Sequence, residues 1–159
     1  KEYYRECIRL KYFVLGDNQS NRFKSNNEAF SRFLHYEILS LIERIVGKRL
    51  QPTYTYLSAY VKDADLPAHT DRPDCEYTVS FLIDKPDNVR WPIYFHKEKQ
   101  NVKGKGRYNF TPIKEECIEC DCDANGLMIF NGRDHIHYRE KLEYDYYNIL
   151  LLHYKGYDD

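Results

Sequence analysis

Between residues 28 and 46 the apolar positions Phe30, Phe33, Leu34, Ile38, Leu41, Ile42 and Ile45 recur at steps of three and four. That period puts them on one face and predicts a single core-facing helix over 28–46. Asn26 or Asn27 can cap its start, and Gly47 stands where a C′ glycine belongs. His35 falls off the stripe and reads as solvated. After Pro52 the pattern changes. Runs at 54–61, 76–84, 91–96, 127–130, 135–139 and 147–154 are short and rich in aromatic and β-branched residues, the composition of half-buried strands. Turn signals separate them: 63–67, Pro86-Asp87-Asn88, Gly104-Lys105-Gly106 and Asn125-Gly126. Residues 3–15 are ambiguous between helix and strand. Residues 16–27, with Asn18, Asn21, Asn26 and Asn27, read as a polar loop. Many short strands behind one helix predict a mainly β fold with flanking helix, a sandwich or a barrel.

Composition narrows this picture. At 159 residues and 19.2 kDa the chain reads as one domain over 1–159, with 1–48 as N-terminal support and 50–154 as core. A net charge of −1 leaves no electrostatic footprint for nucleic acid or an acidic membrane. No run of apolar residues is long enough to span a membrane, and no signal-peptide pattern is present. Five cysteines without a disulfide-like framework favour a reducing, cytoplasmic compartment. The chain begins at Lys1 rather than Met, so a trimmed targeting segment stays open.

Chemistry enters with His69-Thr70-Asp71. On extended backbone the first and third residues share a face, so an imidazole nitrogen and a carboxylate oxygen can converge on one ion. A second histidine from a distant strand would complete the two-His, one-carboxylate facial triad of non-heme Fe(II) oxygenases. A surface turn with an incidental His and Asp is the alternative. His135 and His137, two apart on a late strand, share a face and could supply the second imidazole. Cys117-x-x-Cys120-x-Cys122 invites a zinc reading, but a fourth ligand must come from elsewhere, and ordinary strand cysteines fit the alternation with acids better. The basic stretch 97–107 reads as a solvated loop or, if functional, as a lid or a contact to an acidic substrate.

Several blocks in order then carry a resemblance: Pro52-Thr53-Tyr54-Thr55-Tyr56, Ala59-Tyr60, Leu66-Pro67 with His69 to Ser80, Trp91-Pro92-Ile93-Tyr94, Gly126 to Gly132, His137-Tyr138-Arg139-Glu140, and Leu151-Leu152-His153-Tyr154. Over roughly 50–154 the chain resembles the Fe(II)/2-oxoglutarate-dependent dioxygenases, nearest to small prolyl-hydroxylase-like members. The resemblance implies a double-stranded β-helix (jelly-roll) core. It implies Fe(II) held by His69, Asp71 and His137, with 2-oxoglutarate as cosubstrate and ascorbate as an accessory. The implied activity is hydroxylation of a C–H bond in a peptide side chain or a small molecule, with succinate as coproduct. His137 rather than His135 matches the family's register, because aromatic-Arg-Glu follows it and His153-Tyr154 lies at the expected distance. One departure matters: the final strand lacks the cation that many members place opposite the distal carboxylate of 2-oxoglutarate. Arg139 is the best substitute, with a surface pairing to Glu140 or Glu143 as its rival. Tyr60 is a second cosubstrate candidate, with a plain core tyrosine as the rival, and Asn148 a third. The missing cation favours a cupin-like metal enzyme that does not use 2-oxoglutarate. A non-catalytic β-sandwich binding module is the remaining alternative.

Overall fold

The computed structural model describes residues 1–17, 19–100, 106–123 and 125–157. Asn18 lies outside the described residues. So do 101–105, which include Gly104 and Lys105 of the expected turn and the middle of the basic stretch. The helices are α1 (Glu2–Arg9), α2 (Ala29–Glu37) and α3 (Leu39–Val46). The strands are β1 (Val14–Leu15), β2 (Arg22–Asn26), β3 (Leu50–Val61), β4 (Leu66–His69), β5 (Tyr77–Asp84), β6 (Ile93–Lys99), β7 (Cys117–Cys120), β8 (Leu127–Phe130), β9 (His135–Arg139) and β10 (Tyr146–Gly156). They form a six-stranded sheet, β1-β2-β3-β10-β5-β8, and a four-stranded sheet, β4-β9-β6-β7. From β3 onward the chain changes sheet at every connection except β6 to β7. The pairings between these strands are antiparallel. This alternation is the expected jelly-roll core.

Strand period explains the layers. On β10, Leu150, Leu152 and Tyr154 turn outward onto the helices, where they join Tyr4, Phe13, Ile42, Leu50, Leu57 and Val79. Tyr147 and Ile149 turn inward and pack with Tyr60, Leu82, Trp91 and Leu142 between the sheets. At the other end of that interior, Leu66, Ile93 and Phe95 meet Met128 and Phe130. The space between these inner clusters is where the site lies.

Four expectations need correction. The helix over 28–46 is two helices that meet at Ile38, which caps α2 and starts α3. Only part of the apolar stripe meets the core. Ile42 is fully buried and Leu34 and Ile38 pack partly against the core, while Phe30, Phe33, Leu41 and Ile45 stay exposed. The N-cap is Glu28, whose carboxylate accepts from the Phe30 and Ser31 amides; Asn27 instead accepts from the Thr55 amide. Gly47 ends α3 in the left-handed region, φ 81°. His35 is buried rather than solvated. Its ring lies 4.4 Å from that of Tyr154, and its Nε2 bonds the His153 carbonyl at 2.8 Å. Burial pushes its pKa down to about 4. Finally, the polar stretch 16–27 contains a strand, β2, paired along β3. Its charged residues alternate toward a cavity, so polarity there signals a lined pocket rather than a loop.

Of the cysteine cluster, Cys117 and Cys120 lie on β7 and Cys122 follows its end. Cys117 is buried, and Cys120 and Cys122 are half-buried against different clusters. Among the described residues no cysteine joins a metal-type group. No helix among them is long and apolar enough to cross a membrane.

Candidate metal centre

β4 pairs with β9 so that His69 stands directly opposite His137. Residues opposed in an antiparallel pair share a face, and the two ring centroids are 4.2 Å apart. Each ring is oriented by its own strand. His69 Nδ1 donates to the Pro67 carbonyl at 2.8 Å, and His137 Nδ1 donates to the His135 carbonyl at 3.0 Å. A carbonyl can only accept, so both Nδ1 atoms carry a proton and both Nε2 atoms face inward. Asp71 Oδ1 sits 3.6 Å from His69 Nε2 and 3.8 Å from His137 Nε2. The three ligand atoms lie within 4.8 Å of one another.

The electrostatics agree with a cation site. Burial, reinforced by His69, pushes the His137 pKa down to about 4, so the ring is neutral near pH 7. Burial opposes ionisation of Asp71, but His137 and His69 outweigh it and hold the carboxyl below its usual range. Three inward ligand atoms, two imidazole nitrogens and a carboxylate oxygen, therefore converge within 4.8 Å of one another. A divalent cation resolves that arrangement.

The surroundings fix the carboxylate. The Asp71 amide donates to the Gly132 carbonyl at 2.8 Å. A Cβ at Gly132 would fall 2.1 Å from Asp71 Oδ2. On the other side, Thr78 Oγ1 lies 3.4 Å from Asp71 Oδ2 and 2.9 Å from His153 Nδ1. Phe95 and Phe130 pack against the His137 ring.

A cavity of about 340 Å³ opens from these residues between the sheets. Tyr60 lines it, and its hydroxyl accepts from Arg22 Nη1 at 2.6 Å. Arg22 is fully engaged: Nε pairs with Asp17 at 2.7 Å, and Nη1 also reaches Ser58. Arg139 lines the same cavity and is 5% exposed. Its guanidinium lies 4.7 Å over the Trp91 ring and 5.3 Å over Tyr147. Nη1 donates to the Trp91 carbonyl, and Nε is buried without a partner. The rival surface pairing for Arg139 is absent among the described residues. Glu140 pairs with Lys114 instead.

Not every expected residue comes here. Asn148 alternates to the opposite face of β10, beside Arg5, Phe23 and Tyr146, and is replaced in this cavity by Ile149 and Leu151. His135 bonds the His96 carbonyl through Nδ1 at 2.9 Å and is not one of the three clustered residues. Conversely, Arg22 and Asp17 were hidden in a stretch whose asparagines suggested a loop. The alternation Arg22-Phe23-Lys24 was the available signal. Arg107, which ends the stretch expected as a solvated loop, a lid or a contact to an acidic substrate, bridges His69 through its backbone. Nothing in the sequence marked Gly132 as a close contact.

No family model matches the chain, and no curated protein matches it by sequence. Solved structures do. HygX from Streptomyces hygroscopicus, with nickel, 2-oxoglutarate and hygromycin B bound, aligns over 98% of this chain and 78% of its own, at TM-score 0.62 and 12% identity. The non-heme alpha ketoglutarate dependent carbocyclase SnoK from nogalamycin biosynthesis aligns over 98% and 73%, at TM-score 0.70 and 12% identity. A Pseudomonas putida prolyl-4-hydroxylase aligns over 97% and 84%, at TM-score 0.59 and 8% identity. The chain is thus a jelly-roll protein built on the scaffold that HygX, SnoK and the prolyl-4-hydroxylase have in common.

Proposed function

We propose that the protein is an Fe(II)- and 2-oxoglutarate-dependent oxygenase that hydroxylates a C–H bond. The observation carrying this reading is the convergence of His69 Nε2, Asp71 Oδ1 and His137 Nε2, with both Nδ1 protons committed to backbone carbonyls. Fold neighbours crystallised with nickel or iron and 2-oxoglutarate support the choice of cofactor. At such a centre O2 and 2-oxoglutarate yield succinate, CO2 and a hydroxylated substrate carbon.

The residues of this chain divide the work. His69, Asp71 and His137 hold the ion from one side and leave its other side toward the cavity. Thr78 and the Gly132 backbone orient the carboxylate. Arg139 takes the distal carboxylate of 2-oxoglutarate. Its buried Nε has no partner, and a carboxylate would complete its hydrogen bonding. That cation comes from β9 rather than from the final strand, which removes the main reason to favour a chemistry without 2-oxoglutarate. Tyr60 assists, since Arg22 donates to its oxygen and leaves its O–H free to donate. Tyr60 and Phe130 line the cavity, backed by Trp91 and Phe95, and keep water from the reacting atoms.

The test is spectroscopic and chemical. Anaerobic Fe(II) with 2-oxoglutarate should give a weak visible charge-transfer band in the intact protein and none in His69→Ala. With O2, succinate should form. Absence of the band in folded protein, or its persistence in His69→Ala, overturns the assignment.

A further inference from the structure

We infer that the substrate of this site is an anion, carrying a carboxylate or phosphate group that docks at the cavity mouth on Lys24, Arg72 and Arg107. The inference rests on the proposed function and adds the substrate's charge to it. It starts from a charge count. The whole chain carries −1, but the cavity is lined by five cationic side chains, Arg22, Lys24, Arg72, Arg107 and Arg139, against the two carboxylates Asp17 and Asp71. A concave wall with a net +3 inside a nearly neutral protein focuses potential on whatever enters.

Most of the charges in the cavity cancel internally once the proposed cofactors bind. Arg22 is locked to Asp17. A divalent ion is balanced by Asp71 and the 1-carboxylate of 2-oxoglutarate. Arg139 is balanced by the 5-carboxylate. What remains is Lys24, Arg72 and Arg107, still +3. None of the three has a carboxylate partner among the described residues. Arg72 reaches the Tyr54 hydroxyl at 2.7 Å, lies over the Tyr54 ring and interacts with the Cys75 thiol.

Placement is as specific as charge. Arg107 is opposite His69 in an isolated antiparallel bridge, so the two side chains share a face and the guanidinium flanks the metal centre. Arg72 directly follows Asp71. Lys24 is two residues from Arg22 on β2, hence on the same face of that strand. The three come from separate parts of the fold and line one cavity. Arg72 and Arg107 are exposed and Lys24 half-buried, so they stand at the mouth rather than in the core.

The experiment uses the full chain, metal-free in chelator and at low ionic strength. Phenyl phosphate, benzoate and neutral benzamide are each titrated by calorimetry. At least one anion should bind more tightly than benzamide, and the stronger of the two identifies the group. Binding should weaken with added salt. Lys24→Gln and Arg107→Gln should each weaken it by roughly three- to tenfold. Arg90→Gln, at a surface pair with Glu119 and Asp121, should not. A repeat with saturating Mn(II) and N-oxalylglycine should retain the anion. Benzamide binding as well as the anions, no anion binding, equal losses in Arg90→Gln, or loss of the anion when N-oxalylglycine is present would each overturn the inference. Failure of the iron reading registers separately, as absent succinate with anion binding intact.

Discussion

Gly132→Ala adds a single methyl group and should cripple the metal centre. The added Cβ would lie 2.1 Å from Asp71 Oδ2, 2.9 Å from Asp71 Cγ and 3.1 Å from Phe130 Cε2. Ordinary carbon–oxygen contact needs about 3.5 Å, so the carboxylate must retreat by more than an ångström. It cannot carry its backbone along, because the Asp71 amide is tied to the Gly132 carbonyl at 2.8 Å. The side chain must rotate instead, out of its present alignment with Thr78 and the two Nε2 atoms. Disturbing the neighbours that orient a ligand costs about 10- to 100-fold in metal affinity, or roughly 1.4–2.8 kcal/mol. Mn(II) affinity, read by electron paramagnetic resonance of free ion, checks this. The thermal midpoint of the metal-free protein should move little, since releasing a carboxylate from a lone-pair cluster offsets the strain. Wild-type Mn(II) affinity in folded Gly132→Ala would mean that Asp71 is not a ligand in the conformation described.

Other substitutions probe the neighbouring contacts. Arg139→Gln should raise the KM for 2-oxoglutarate by roughly 10- to 100-fold, the equivalent of one charge-assisted contact, with Mn(II) affinity unchanged; an unaltered KM would remove Arg139 from the cosubstrate site. Thr78→Val removes the hydroxyl shared by His153 and Asp71 and should cost about 1 kcal/mol of stability and weaken Mn(II) binding. Thr78→Ser should restore both, and equal defects in Ser and Val would point to packing instead. Acid should destabilise the metal-free protein early. Burial lowers His35, His137 and His153 to about 4 from an ordinary 6.5. The unfolded chain therefore binds more protons between these values, and stability is full above about 6.5 and falls as pH drops toward 4. Each group contributes roughly 1.4 kcal/mol per pH unit inside that window. Urea midpoints that stay flat from pH 7 to pH 4.5 would contradict the buried neutral state.

Two short strands were legible because their physics is local. The runs at 127–130 and 135–139 coincide with β8 and β9, where a short apolar run in the first and alternation in the second agree with the flanking turns. The helix over 28–46 was legible in type but not in continuity, because the turn at Ile38 carries no proline or glycine to announce it. His35 shows the same limit from the other side. A helical wheel ranks faces by hydrophobicity, yet a neutral imidazole with a carbonyl partner and an aromatic neighbour is at home in a core. β2 and Arg22 failed for a third reason: polar residues alternating along a strand look like loop until a cavity exists for them to face.

The candidate site divides along the same line. The spacing of His69 and Asp71 and the register of His137 are sequence properties, whereas the opposition of His69 to His137 is a pairing that only the fold creates. The same holds for charge. Read along the chain, Arg22, Arg72, Arg107 and Arg139 are scattered in a protein of net −1. Folding sorts them by role. Arg22 is neutralised by Asp17, Arg139 is buried with an unfilled donor, and Arg72 and Arg107 are left facing solvent at the mouth. Net charge therefore bounds what the whole protein attracts and says nothing about one cavity. A chain with no electrostatic footprint for nucleic acid can still select an anion at the scale of a single substrate.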